Sequence, residues 1–282
     1  MRESRRVLVV LACAQILMAG CGGTRMQYKR VDAAKTAAIV GVSAALNTYN
    51  RTQGKGSGTI GAAQEMASLG SDAKIAERKV QGNAIYDALA AEINKSLGWT
   101  IKGRDEVVAD AANKAIYDRI IGVPNKLQLG GLRVYVPGIL WTERVKGLNA
   151  PDRKKLLESL GVDALVFVHI NYYVGATGPV RWKVGKDGVF TVSGAIPGTS
   201  AAYPAARIGI KIFDDSPEPI WNSGAAGEPS RFGIVTTKGI EHKTDMVPIL
   251  EDALSSSWVA LMNEFEEDKA KSIEADQEAA AD

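Results

Sequence analysis

The 282-residue chain is 46% apolar and 23% charged, with 29 Gly, 10 Pro and only 6% aromatic residues, a globular composition that argues against disorder and collagen-like repeats. Its formal charge is +2, and removal of a leader holding Arg2, Glu3, Arg5 and Arg6 would leave 31 charges of each sign. With neither a basic excess nor a dense Lys/Arg cluster, nucleic-acid binding is excluded.

Residues 1–20 are expected to be a signal peptide. Basic Arg2, Arg5 and Arg6 precede the apolar run Val7 to Ala14, which continues through Ile16, Leu17 and Met18 to small Ala19 and Gly20, the layout of an export leader. The run is shorter than the about 20 apolar residues of a membrane-spanning helix. Leu17-Met18-Ala19-Gly20-Cys21 resembles the lipobox of bacterial lipoproteins, with Met18 standing where Leu is usual. That resemblance implies a diacylated Cys21 thiol, cleavage before Cys21 and acylation of the new amino group. Cys13 would leave with the leader, so no thiol would remain for a disulfide. Each buried methylene contributes about 0.8 kcal/mol, and several acyl chains suffice for stable anchoring. In Gram-negative lipoproteins Asp after the lipidated Cys often signals inner-membrane retention; Gly22 stands there, which favours the outer membrane and a periplasm-facing domain.

Residues 21–34 read as a tether, 35–266 as an α/β domain and 267–282 as an acidic frayed tail. Ile39, Val40 and Val42 around Gly41 favour a buried strand over Lys35 to Leu46, with a helix as competitor. Val80, Ala84, Ile85, Leu89, Ile93 and Leu97 recur at helical spacing, with Ser71 or Asp72 as cap and Gly98 as stop. Trp99 to Lys102 is a short strand, and Asp105 to Ile121 a second helix. Leu132 to Trp141, interrupted by Pro137, suits an edge strand or ordered loop. Pro151 opens a helix that Gly161 stops, and Ala164 to Val174 is apolar enough for a central strand. Val180 to Val184 and Val189 to Ser193 flank a Gly-Lys-Asp-Gly turn, and Ile208, Ile210 and Ile212 begin a further hairpin returning at Ile220. Last, Thr244 caps a helix whose apolar stripe is Val247, Leu250, Leu254, Trp258, Leu261 and Phe265. The order predicts one domain, a mixed β-sheet with helices packed on its faces.

The run Gly161 to Val168 after a short helix, and the strand Ile208 to Asp214 turning into Pro219-Ile220-Trp221, resemble a superfamily of envelope lipoproteins. It includes the penicillin-binding-protein activators, the curli secretion-channel lipoprotein and the amino-terminal domain of the Tol-system propeller protein. The resemblance implies an envelope partner.

Catalytic signals are sparse, and the chain is read as a non-enzyme without cofactor or metal. Gly56 to Gly61 matches G-x-G-x-x-G, but Asn47 to Lys55 separate it from the preceding strand and a flexible loop is the better account. Ser71 and Lys74 form S-x-x-K without its companion motifs and suit the start of a helix. His169 lies in the buried-strand segment and His242 in a polar turn, with no zinc-type spacing. Asp214-Asp215 and Glu266-Glu267-Asp268 read as solvated. The leading expectation is a lipid-tethered module that binds another envelope protein, with Trp141 and Trp182 as possible contacts. An oligomeric secretion pore and a serine enzyme acting on peptidoglycan through Ser71 and Lys74 remain the alternatives.

Overall fold

A computed structural model describes residues 26–47, 72–121, 133–142, 147–176, 181–184, 189–193, 201–228, 234–235, 242–245 and 247–281. Its elements in chain order are α1 (Tyr28–Ala33), β1 (Thr36–Asn47), α2 (Asp72–Leu97), β2 (Thr100–Ile101), α3 (Arg104–Ala109), α4 (Ala111–Ile121), β3 (Arg133–Tyr135) and α5 (Ala150–Leu160). There follow β4 (Ala164–Ala176), β5 (Arg181–Val184), β6 (Val189–Ser193), β7 (Ala201–Phe213), β8 (Trp221–Ala226), β9 (Ile234–Val235), β10 (His242–Asp245) and α6 (Val247–Ala281). The chain is a single α/β domain. Its main sheet has the order β2-β1-β4-β7-β8, with β3 added beside β1 and β9 beside β7. β1 is parallel to β2 and β4, while β4, β7 and β8 are successively antiparallel.

β4 is central because its side chains are apolar on both faces: Ala164 to Val168 and Ile170 are all buried, as a strand covered by helices on both sides requires. One face carries Val166, Ile212 and Trp221 beneath α6, where Phe265 meets Trp221 edge-on at 5.1 Å. The other carries Phe167 and Phe213, edge to face at 5.7 Å, with the Arg153 guanidinium of α5 4.5 Å above Phe213. Burial works against the charge of Arg153 and lowers its pKa. Its NH groups donate to the carbonyls of Leu148 and Pro217, which fastens the 214–219 turn to α5.

The register of β1 shifts at a bulge between Ile39 and Gly41. Immediately after it, Phe167 packs so closely on Gly41 that a Cβ there would lie 2.3 Å from its ring. α5 follows the sequence signals closely. Asn149 and Asp152 form a capping box, a proline occupies the first turn, and Gly161 closes the helix at φ 64°.

Three expectations are corrected. The helix expected over Asp105 to Ile121 is two, because Asp110 turns extended (ψ 130°) and its carboxylate caps α4 by accepting from the Asn113 N–H. Thr244 lies in β10 opposite Phe190 and does not cap α6. The expected frayed tail is helical to Ala281. It is held by polar groups: the buried Asp268 accepts from Trp221 Nε1 at 3.2 Å, Ser272 accepts from the Tyr28 N–H, and Lys29 pairs with Asp276. The Gly-Lys-Asp-Gly turn lies outside the described residues, but its flanking strands do pair; β5 and β6 join β10 in a separate three-stranded sheet.

Replacing Gly41 by Ala must push Phe167 aside, and overpacking of this kind costs about 1–3 kcal/mol; urea denaturation of G41A will show a lower midpoint. Truncation after Glu266 removes the acceptor of the buried Trp221 N–H and is expected to lower the thermal midpoint, whereas deletion of a frayed tail would leave it unchanged.

Candidate functional site

Helices do not cover the whole sheet. Beyond Phe167, on the α5 side, a groove of about 440 Å³ opens over β4, β7 and β8, lined by His169, Asn171, Arg207, Gly209, Asn222 and Gly224 among others. Strand pairing explains the arrangement. His169 stands opposite Gly209 and Gly209 opposite Gly224, which gives a row with a glycine floor on two strands. Asn171 and Arg207 form the next row on one side, and Lys211 with Asn222 the row on the other. Two-residue alternation puts all of them on one face. Arg207, Lys211 and Asn222 are exposed, and neither cation has an ion-pair partner among the described residues.

The inner end of the row is closed by a hydrogen-bonded cluster. Nδ1 of His169 lies 2.9 Å from Ser43 Oγ, and Ser43 Oγ in turn bonds to the Thr142 hydroxyl. A Ser–His contact has the outline of an activated nucleophile. Ser43 is nonetheless 0% exposed, so its Oγ has no approach for a substrate carbonyl from the groove. The cluster works as a polar pin that holds β1, β4 and the 139–142 segment together, and His169 is partly buried at the groove's inner end.

A second depression, of about 390 Å³, lies among α1, the start of β4 and the 214–215 turn. Its charges answer one another: Arg30 Nε is 2.7 Å from Asp214 and its Nη2 2.9 Å from Asp215. Asp163, also there, accepts from the N–H of Lys35, the N–H of Thr36 and the Thr36 hydroxyl, each at 2.9 Å. Those hydrogen bonds, Lys35 first, hold its carboxyl below the usual range. It latches the start of β1 to the start of β4, a structural duty.

The residues expected to carry function are scattered. Cys21, Ser71 and the Gly56 to Gly61 loop lie outside the described residues, and Lys74 stands in the first turn of α2. Trp141 is corrected: it is only 5% exposed and belongs to the core, since the bridge of Leu140 to β1 draws that segment inward. It therefore offers no partner surface. Trp182 lies in β5 opposite Val192. His242 is in β10 opposite Val192 and not in a turn. Asp268 is buried and hydrogen-bonded instead of solvated. Asn171 stands two residues from His169 on one strand face, but Arg207 and Gly209 become neighbours of that face only through the β4–β7 register.

Among the described residues no helix is long and apolar enough to cross a membrane, and no three His, Cys, Asp or Glu side chains gather as metal ligands. No protein-family model matches the chain, and no curated protein matches it.

The depressed Asp163 pKa has a definite sign. Its stabilising contribution is present above the unfolded carboxyl pKa and is lost as pH falls through the lower folded value. Accordingly, D163N will be less stable than the parent at neutral pH, and the gap will narrow in strongly acidic buffer, measured by denaturant melts across pH.

Proposed function

We propose that the chain is a lipoprotein of the bacterial cell envelope, held by acyl chains on Cys21 at the outer membrane, whose periplasm-facing α/β domain binds another envelope protein without catalysis. The observation that carries this reading is the sequence at the amino terminus: a basic and apolar leader ending in Leu17-Met18-Ala19-Gly20-Cys21. The structure supports it in two respects. The first described residue, Met26, is already packed in the core and bridged to Trp221, so five residue steps, at most about 18 Å, separate the fold from the lipid-bearing cysteine. The uncovered groove is polar and open, and its Ser43–His169 pair has no accessible hydroxyl, which suits recognition better than bond cleavage.

Anchoring converts a search in solution into a search within a thin layer, which raises effective concentration toward any partner in the same layer. The resemblance to the envelope-lipoprotein superfamily gives the partner's setting, cell-wall or secretion machinery. Positive and negative charges balance once the leader is removed, and several acyl chains on one residue suffice for stable attachment without charge attraction.

Cys21→Ser is expected to move the protein from the membrane fraction to the soluble periplasmic fraction, and the parent will partition into detergent at all salt concentrations. A C21S protein that stays with the membrane, or a parent released by high salt, would refute lipid anchoring as the sole attachment.

A further inference from the structure

Gly209 has no local reason to be glycine. It sits mid-strand in β7, where glycine weakens a sheet and where, among the described residues, an added Cβ would meet nothing nearer than 4.0 Å. Its neighbour Gly224 differs, for a Cβ there would lie 3.0 Å from the Ile208 carbonyl oxygen, so packing within the sheet already accounts for it. A strand-centre glycine unexplained by its own fold marks the close approach of another backbone. The surrounding residues say what kind. Arg207 and Lys211 flank Gly209 on the same face, four residues apart and thus about 13 Å between Cα atoms, with no ion-pair partner among the described residues.

We propose that the groove over Gly209 receives an extended acidic peptide segment of the partner, its backbone on the glycine floor and its carboxylates reaching Arg207 on one side and Lys211 on the other. This rests on the partner-binding role proposed above and names the chemistry of the partner. The groove runs across the strands from the closed Ser43–His169 end to the β8 edge. The segment enters from β8, because the inner end is sealed by the hydroxyl cluster. A width of about 13 Å between the cationic rows admits one extended chain between long side chains. Asn222 adds an exposed amide along the entrance. A bilayer surface is flat and does not enter such a trough, so anionic lipid is the disfavoured occupant.

The test uses the full-length lipidated protein in mild detergent and fluorescein-labelled short peptides of alternating glycine with glutamate or with lysine. Fluorescence anisotropy is expected to show binding of the glutamate peptide that weakens with salt, and none of the lysine peptide. Gly209→Val fills the floor with a residue that favours strands, and it should keep the thermal midpoint while binding falls by at least about tenfold. Arg207→Glu, which sets one carboxylate against the remaining Lys211, should abolish the preference for the glutamate peptide. Equal binding of both peptides, unchanged binding by a folded G209V, or competition by phosphatidylglycerol vesicles in place of peptide would overturn the proposal. Should G209V fail to fold, the Arg207→Glu arm decides. Mass analysis of the Cys21 peptide from the same preparation reads the anchor separately: acylated Cys21 without glutamate-peptide binding overturns the groove alone, and binding with unacylated Cys21 overturns the anchor alone.

Discussion

One extra residue in β1 sets the alignment on which both the core and the groove depend. Up to the bulge, Ile39 opposes Val166; after it, Gly41 opposes Phe167, Val42 opposes Val168 and Ser43 opposes His169. Had the ladder continued in register, with Val40 opposite Phe167, apolar Val42 would face His169 and its Nδ1 would lose the Ser43 partner, at a cost of about 1–3 kcal/mol. The bulge instead turns Ser43 toward the histidine and brings the bare backbone of Gly41 under the Phe167 ring. A single irregularity thereby separates an apolar half of this sheet face, under α5, from a polar half that opens to water. Bulges commonly re-aim side chains beside functional surfaces.

Where local rules operate, the sequence is legible. The Asn149 cap, the proline in the first turn and Gly161 announce α5 at both ends, and the unbroken apolar run from Ala164 announces β4. The failures at Asp268, Ser272 and Asp110 share one cause, polar groups with partners supplied by other elements. Asp268 and Ser272 continue the buried stripe of Trp258, Leu261 and Phe265 at helical spacing, but an apolar periodicity search stops at Phe265 because their partners, Trp221 and Tyr28, are supplied by other elements. Asp110 likewise turns from a surface acid into a helix breaker because Asn113 needs a cap and Ser159 of α5 lies within hydrogen-bonding reach. Trp141, read as a surface aromatic, is drawn into the core by the bridge beside it.

The candidate site was legible only in fragments, for a comparable reason. His169 and Asn171 are visible as polar members of an apolar strand, and nothing local joins them to Arg207 or Gly224. Those residues come together only when three antiparallel strands adopt one register, and that register emerges from the packing of Phe167 on Phe213 and of Trp221 beneath α6. The groove is the part of the sheet that α5 is too short to reach. Its polarity follows from that exposure, and its shape is compatible with the non-catalytic recognition proposed for the domain.

The short link to Met26 also has a mechanical meaning. If Cys21 carries the proposed anchor, a force on it enters the domain at Met26, whose bridge to Trp221 and the adjoining Gln27 N–H to Ile220 carbonyl bond are its first attachments. The next are the Tyr28 N–H to Ser272 bond, the Tyr28–Lys269 ring contact and the Lys29–Asp276 pair on the last turns of α6. Met26 and Val31 of this segment are buried and Arg30 pairs with Asp214 and Asp215, and β1 behind them is stitched along its length to β4. A load applied there would meet these contacts, the bridge to β8 first and the α1–α6 contacts next, before it reached β1. The amino-terminal clasp thus stands between that anchor and β1, tying Met26 to β8 and α1 to α6.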